Sequence, residues 1–202
     1  MTEGKFFREE KIPTGAAEKA AVFQTEDPAH VESNPDLQKV LSEVGLTADD
    51  FRKLVTGEFE DAQPFYEEDL PFNGLTEHVR VRLAKVGGRE IEVSECSRTE
   101  DSTAAPSSYD FQLRQAGPAA KILVGLGGEA LLRLPKVEPA GLSQIHLYAL
   151  TGEFDDVAFH KGSVAIIQAP TTWSFESSKA GLRYLYISTP RHQEEIDKTV
   201  DL

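Results

Sequence analysis

The chain predicts an all-β antiparallel sandwich or barrel with a short helical extension on its N-terminal side. Three observations predict it. The hydrophobic period becomes two from about residue 77. Short apolar runs then recur at close spacing between Gly- and Pro-bearing turns, and the stretch with helical periodicity, 34–57, lies wholly before them.

Residues 1–33 are polar and broken by Pro13, Gly15 and Pro28. Their apolar residues, Phe6 with Phe7 and Val22 with Phe23, come in pairs without a sustained period, so an irregular arm is expected. At Asn34 the pattern sharpens. Asn34 suits an N-cap, Pro35 the first helical position and Asp36 the positive helix end, while Leu37, Val40, Leu41 and Val44 make one apolar face before Gly45. A helix over 35–44 follows. A second is expected at once, because Thr47 and Asp50 have capping-box spacing and Phe51, Leu54 and Val55 share a side until Gly57. Two helices this short cannot bury their faces on each other alone, so they should pack on the β domain. The acidic stretch from Glu58 to Asn73, with Pro64 and Pro71, reads as an irregular linker.

Beyond it, Val79-Arg80-Val81-Arg82-Leu83-Ala84 alternates apolar and basic, Gly87-Gly88 marks a turn, and Glu90-Ile91-Glu92-Val93 alternates again, as a hairpin with one buried face would. Further strands are expected near 109–114, 120–126, 129–134, 144–150, 157–159, 163–168, 172–176 and 182–188, with loops at 97–107 and 135–143. The expected organisation is therefore an arm at 1–33, helical extension and linker at 34–76, barrel at 77–190 and tail at 191–202. The glycines at 125, 127 and 128 have no following helix and read as a hairpin turn rather than a phosphate loop.

The chain's 202 residues, 40% of them hydrophobic, suffice for one core plus an appendage. Thirty-four acidic against 21 basic residues give a net charge of -13, which repels nucleic-acid phosphates and anionic lipid. Neither nucleic acid nor membrane is expected as a partner. Cys96 stands alone and cannot form an internal disulfide, and its neighbour Glu95 argues against a reactive thiol. No stretch near the start combines a basic segment with an apolar run, so a cytoplasmic location is expected. A homodimer is left open.

The segment KGSVAIIQAPTTWSFES, Lys161 to Ser177, resembles the second characteristic motif of the cupins: a Gly-led strand, a Pro-containing turn and a second strand ending in an aromatic. The strand Ile122-Leu123-Val124-Gly125-Leu126-Gly127 resembles that of the first motif. This resemblance implies the RmlC-like jelly roll, a double-stranded β-helix. In cupins the two motifs usually supply three His and a carboxylate to a metal. Here Trp173 stands where the second motif has His, Gln112-Leu113-Arg114-Gln115 stands where the His pair should be, and there is no His-x-His in the chain. An indole N–H donates and has no lone pair for a cation, so no metal and no cofactor are expected. Within the cupins, the stretch from Asn34 to Pro190 is most similar to the metal-free C-terminal barrel of type I mannose-6-phosphate isomerases and its lead-in helices. Ser42-Glu43-Val44-Gly45-Leu46-Thr47 resembles that family's interhelical turn, with Glu43 where the family has Arg. The family's metal-bearing N-terminal barrel has no counterpart here.

If Trp173 points inward it either floors a pocket for a sugar ring or plugs the space that a metal would leave, and filling space is favoured. Gln168, Arg114, Tyr184 and Tyr186 are the other candidate ligand-binding residues. His146 and Tyr148 share one face of 144–150 and are a candidate base and phenol pair. Ile145, Leu147 and Ala149 on the other face are more apolar, so the pattern favours an exposed pair. His160 is expected at a solvent-facing turn, and His30, His78 and His192 have no partner in view. Asp155-Asp156 and Glu67-Glu68-Asp69 read as loop surface, weakly as a calcium-attracting patch. Two functions compete. One is a metal-free cupin without catalysis of its own, binding a small polar ligand such as a sugar or sugar phosphate, or a protein. The other is a metal-independent sugar isomerase or epimerase using His146 and Tyr148.

Overall fold

The computed structural model describes residues 20–72, 75–100, 112–115, 120–136, 153–168, 172–175, 181–189 and 198–201. In chain order these form β1 (Ala20–Gln24), a 3-10 turn (Val31–Ser33), α1 (Pro35–Glu43), α2 (Ala48–Thr56), β2 (Glu60–Phe72), β3 (Leu75–Val86), β4 (Arg89–Glu100) and β5 (Gln112–Gln115). There follow β6 (Ala120–Gly127), β7 (Glu129–Pro135), β8 (Phe154–His160), β9 (Ser163–Ile167), β10 (Thr172–Phe175), β11 (Arg183–Thr189) and β12 (Lys198–Asp201).

The pairing of β4 to β11 is nested. β4 pairs with β11, β5 with β10, β6 with β9 and β7 with β8, all antiparallel. Such nesting arises when one long ribbon is bent at its middle, and the lateral pairs β6 with β11 and β7 with β10 roll that ribbon into two sheets. This is a jelly roll. The larger sheet has the order β1-β9-β6-β11-β4-β3-β2 and the smaller β12-β5-β10-β7-β8.

Among the described residues four strands lie outside the eight-strand roll, three of them in stretches expected to be irregular. β1 comes from the arm and pairs with β9, β2 from the linker pairs with β3, and β12 from the tail pairs with β5. The fourth, β3, is the first arm of the expected hairpin with β4, turned by Gly87 and Gly88, both at positive φ. β2 evades the sequence pattern because it is an edge. Only one side of its backbone joins a ladder, so Pro64 and Pro71 are tolerated, and acidic side chains discourage pairing with another chain. Of the loop expected at 97–107, the first four residues belong instead to β4, which runs to Glu100, and the rest lies outside the described residues.

The glycines at 125–128 do not turn a hairpin. β6 and β7 belong to different sheets, and Gly128, at φ +69°, carries the chain around the corner between them. A Cβ on Gly125 would lie 2.0 Å from the His160 carbonyl oxygen, so the backbones there meet directly.

The central strands are apolar on both faces because both faces are covered. One face of the larger sheet meets the smaller sheet through Leu123, Ala165, Ile167, Tyr184 and Tyr186, against Leu132, Trp173 and Phe175. Its other face presents Ile122, Val124, Val164, Ile166, Leu185 and Ile187 to Leu37 and Leu41 of α1 and Phe51 and Leu54 of α2. Burying each such side chain contributes about 1.5–3 kcal/mol. Local chemistry sets the helices: the Asn34 side chain accepts from the Leu37 N–H at 3.0 Å, Thr47 and Asp50 complete a capping box, and Gly57 ends α2 in the left-handed region. No helix among the described residues is long and apolar enough to cross a membrane.

Candidate functional site

Two regions are candidates: the barrel interior, where the sequence pattern directed attention, and the open part of the larger sheet's outer face. Inside, β5 and β10 are hydrogen-bonded neighbours with Trp173 opposite Arg114 in register, so the two motif strands do come together. Trp173 is 1% exposed. Its ring stacks on Tyr186 at 6.1 Å between centroids and meets Phe175 edge-on at 5.7 Å, and Phe175 in turn contacts Phe159 and Tyr184, each at 5.0 Å. The aromatic side chains expected to line a pocket are thus neighbours packed on one another.

Polar groups lie at both ends of this aromatic layer. At one end Glu77 Oε1 accepts from Arg98 Nε at 3.0 Å and from the Tyr184 hydroxyl at 2.9 Å, with the Arg98 guanidinium 5.6 Å from the centre of the Phe175 ring. At the other, Lys121 Nζ donates to Ser188 Oγ at 2.7 Å and lies 5.4 Å from the Tyr186 ring centre. All of these residues are buried. Gln168, half-buried, follows β9 on the larger sheet. His146, Tyr148 and His192 lie outside the described residues.

His160 is exposed, as the pattern suggested. His30 and His78 are not without partners: His30 Nδ1 bonds Asp27 at 2.8 Å, and His78, on β3, bonds both Asp69 and Thr99. The acidic runs lie on strands rather than in loops. Glu67 to Asp69 belong to β2 and Asp155 with Asp156 to β8, where Asp156 pairs with Arg133 at 3.1 Å. Among the described residues no group of three or more His, Cys, Asp or Glu is placed to hold a metal.

The second region was missed. α1 and α2 cover Ala84, Val86, Ile91 and Val93 of β3 and β4, but among the described residues no helix covers the same face beyond the end of α2. A cavity of about 230 Å3 there is bounded by Leu54, Phe59, Leu126, Arg80, Arg82 and Glu95. A second, of about 310 Å3, shares Arg80 and Glu95 and continues past Asp69, His78, Ser97 and Arg183. The first end offers two guanidinium groups against one carboxylate, with Arg82 6.0 Å from the Phe59 ring centre. The second end is acidic, with Glu67, Glu68 and Asp69 along it. Arg80 Nε donates to Glu67 at 2.7 Å, and Arg183 approaches Glu95 at 3.7 Å. The signal was the alternation at Val79 to Leu83: its basic residues form one face, and that face is the floor of this groove.

No family model matches the chain, and no curated protein matches it. Solved structures do resemble it. Oxalate decarboxylase from Bacillus subtilis at pH 4.6 is 14% identical over 75% of this chain and 31% of its own, with a TM-score of 0.39. An RmlC-like cupin from Shewanella frigidimarina is 9% identical over 68% of this chain and 95% of its own, at 0.38. Procruciferin, an 11S globulin from Brassica napus, is 10% identical over 55% and 23%, at 0.35. The matched region spans less than a third of the decarboxylase chain.

Proposed function

We propose that this protein is a metal-free jelly-roll binding protein that takes a small polar ligand of the sugar or sugar-phosphate class on the outer face of its larger sheet. The observation that carries this reading is Trp173. At 1% exposure, stacked on Tyr186 and wedged against Phe175, it fills the space where a barrel-interior ligand would sit. The groove offers what the interior does not. Its cationic end, Arg80 and Arg82 beside Phe59, suits a phosphate ester next to an apolar ring face. The carboxylates farther along suit hydroxyl donors. Its two parts, about 230 and 310 Å3, approach the size of small-molecule sites. The resemblance to the C-terminal barrel of mannose-6-phosphate isomerases supports the same ligand class. The isomerase reading rests on His146 and Tyr148, and no observation among the described residues favours it.

Calorimetric titration of the full chain with hexose phosphates, the parent sugars and inorganic phosphate tests the proposal, with Trp173 emission recorded alongside. Binding of a phosphate ester that leaves the indole emission unchanged and is lost in Arg82→Gln is expected. A saturable quench of Trp173, undiminished binding in both Arg80→Gln and Arg82→Gln, or no binding across the panel would overturn it.

A further inference from the structure

We infer that Asp69, His78 and Thr99 form a carboxylate–imidazole–hydroxyl relay in which the solvent-exposed Thr99 Oγ1 is acylated by small esters. The three residues come from three adjacent strands. Asp69 on β2 lies directly opposite His78 on β3, and Thr99 lies on β4, two residues beyond Ser97, the residue opposite His78. His78 Nδ1 is 2.5 Å from Asp69 Oδ1, and Nε2 is 3.0 Å from Thr99 Oγ1.

These two contacts fix the proton positions of the neutral ring. An ionised carboxylate only accepts, so Nδ1 must carry the hydrogen. Nε2 then holds the lone pair and accepts from the Thr99 hydroxyl. This is the arrangement in which a carboxylate orients an imidazole and the imidazole serves as base to a hydroxyl nucleophile. A cavity of about 310 Å3 opens beside Asp69 and His78, and Thr99 is exposed to solvent, so a small ester can reach its hydroxyl. The His78 and Asp69 side chains are 46% and 69% exposed, so the relay works in water and modest rates are expected.

The chemistry balances without an oxidant or reductant. Thr99 Oγ1 adds to the ester carbonyl carbon while its proton passes to His78 Nε2. Collapse breaks the carbon–oxygen bond to the leaving alcohol, which takes that proton and leaves Thr99 esterified. Water then gives a proton to Nε2 and its oxygen to the acyl carbon. The Thr99 ester bond breaks, Thr99 recovers the proton, and a carboxylic acid departs.

Acyl transfer to Thr99 is independent of sugar binding and requires no sugar. The full-length protein is incubated with p-nitrophenyl acetate, nitrophenol release is followed, and acetylated peptides are mapped by mass spectrometry. Acetyl is expected on Thr99. Thr99→Ala and His78→Gln should lose turnover on the order of a hundredfold, the scale of a positioned general base. Asp69→Asn should lose less, and Thr99→Ser should keep both turnover and adduct. Absence of a Thr99 adduct in the unaltered protein overturns the inference whether or not any variant folds. So does turnover in a folded Thr99→Ala equal to the unaltered protein.

Discussion

Replacing Trp173 with Ala separates a core role from a ligand-platform role. The ring is 1% exposed and touches Tyr186 and Phe175 in stacked and edge geometries. Truncating a buried Trp or Phe to Ala costs roughly 3–5 kcal/mol, and about 24 cal/mol accrues for each Å3 of cavity that fails to collapse. The two aromatic contacts, about 0.5–1.5 kcal/mol each beyond their area, are part of that loss. Against a typical total of 5–15 kcal/mol this is a large fraction. At 2–4 °C per kcal/mol for a chain of this size, the melting midpoint should fall by roughly 6–20 °C. The substitution removes the only Trp, so unfolding in urea is best followed by far-ultraviolet circular dichroism, with Trp173→Phe as a control that keeps an aromatic ring. A loss below about 1 kcal/mol, accompanied by lost ligand affinity, would refute the reasoning: it lies far under the range for a buried ring.

Other predictions follow from the same geometry. Trp173→His returns one imidazole without the rest of a ligand set, and elemental analysis is expected to find no stoichiometric transition metal; one equivalent of zinc, iron, manganese or nickel would contradict this. A chain starting at Glu77 loses α1, α2, β1 and β2 and exposes Ile122, Val124, Ile166 and Ile187, so size-exclusion chromatography and thermal melting should show aggregation or a lower midpoint; a soluble monomer of unchanged melting point would disprove the docking role. Glu77→Gln leaves the buried Arg98 cation facing a neutral partner, and a cost of roughly 3–5 kcal/mol is expected in denaturant titration, part of it recovered by Glu77→Leu with Arg98→Met. Gly125→Ala drives a methyl group to 2.0 Å from a carbonyl oxygen, so its cost should exceed the roughly 1–3 kcal/mol of ordinary overpacking; a neutral urea midpoint would show that the His160 backbone yields.

The sequence alone determined what short-range chemistry decides. The limits of α1 and α2 were legible because a cap, a first-turn Pro and a left-handed Gly act within a few residues of each other. The β3–β4 hairpin and the apolar strands β6, β9 and β11 were legible from alternation and from runs of branched residues. The presence of Trp173 where the cupin motif has a histidine was read from the resemblance, whereas the pairing of its strand with Gln112–Gln115 appears only in the folded sheet. The tertiary structure alone decided three other matters. Edge strands β1 and β12 pair with strands far along the chain, and β2, which pairs with the next strand β3, carries prolines and acidic residues that argue against a strand. Period-two alternation has no sign, so only the packed sheets show that Tyr184 and Tyr186 face the smaller sheet while Leu185 and Ile187 face the helices. Asp69, His78 and Thr99 lie side by side because three strands align in register. That alignment comes from the consecutive antiparallel pairings β2–β3 and β3–β4, and the first of them is hidden in the sequence because the prolines and acids of β2 read as an irregular linker.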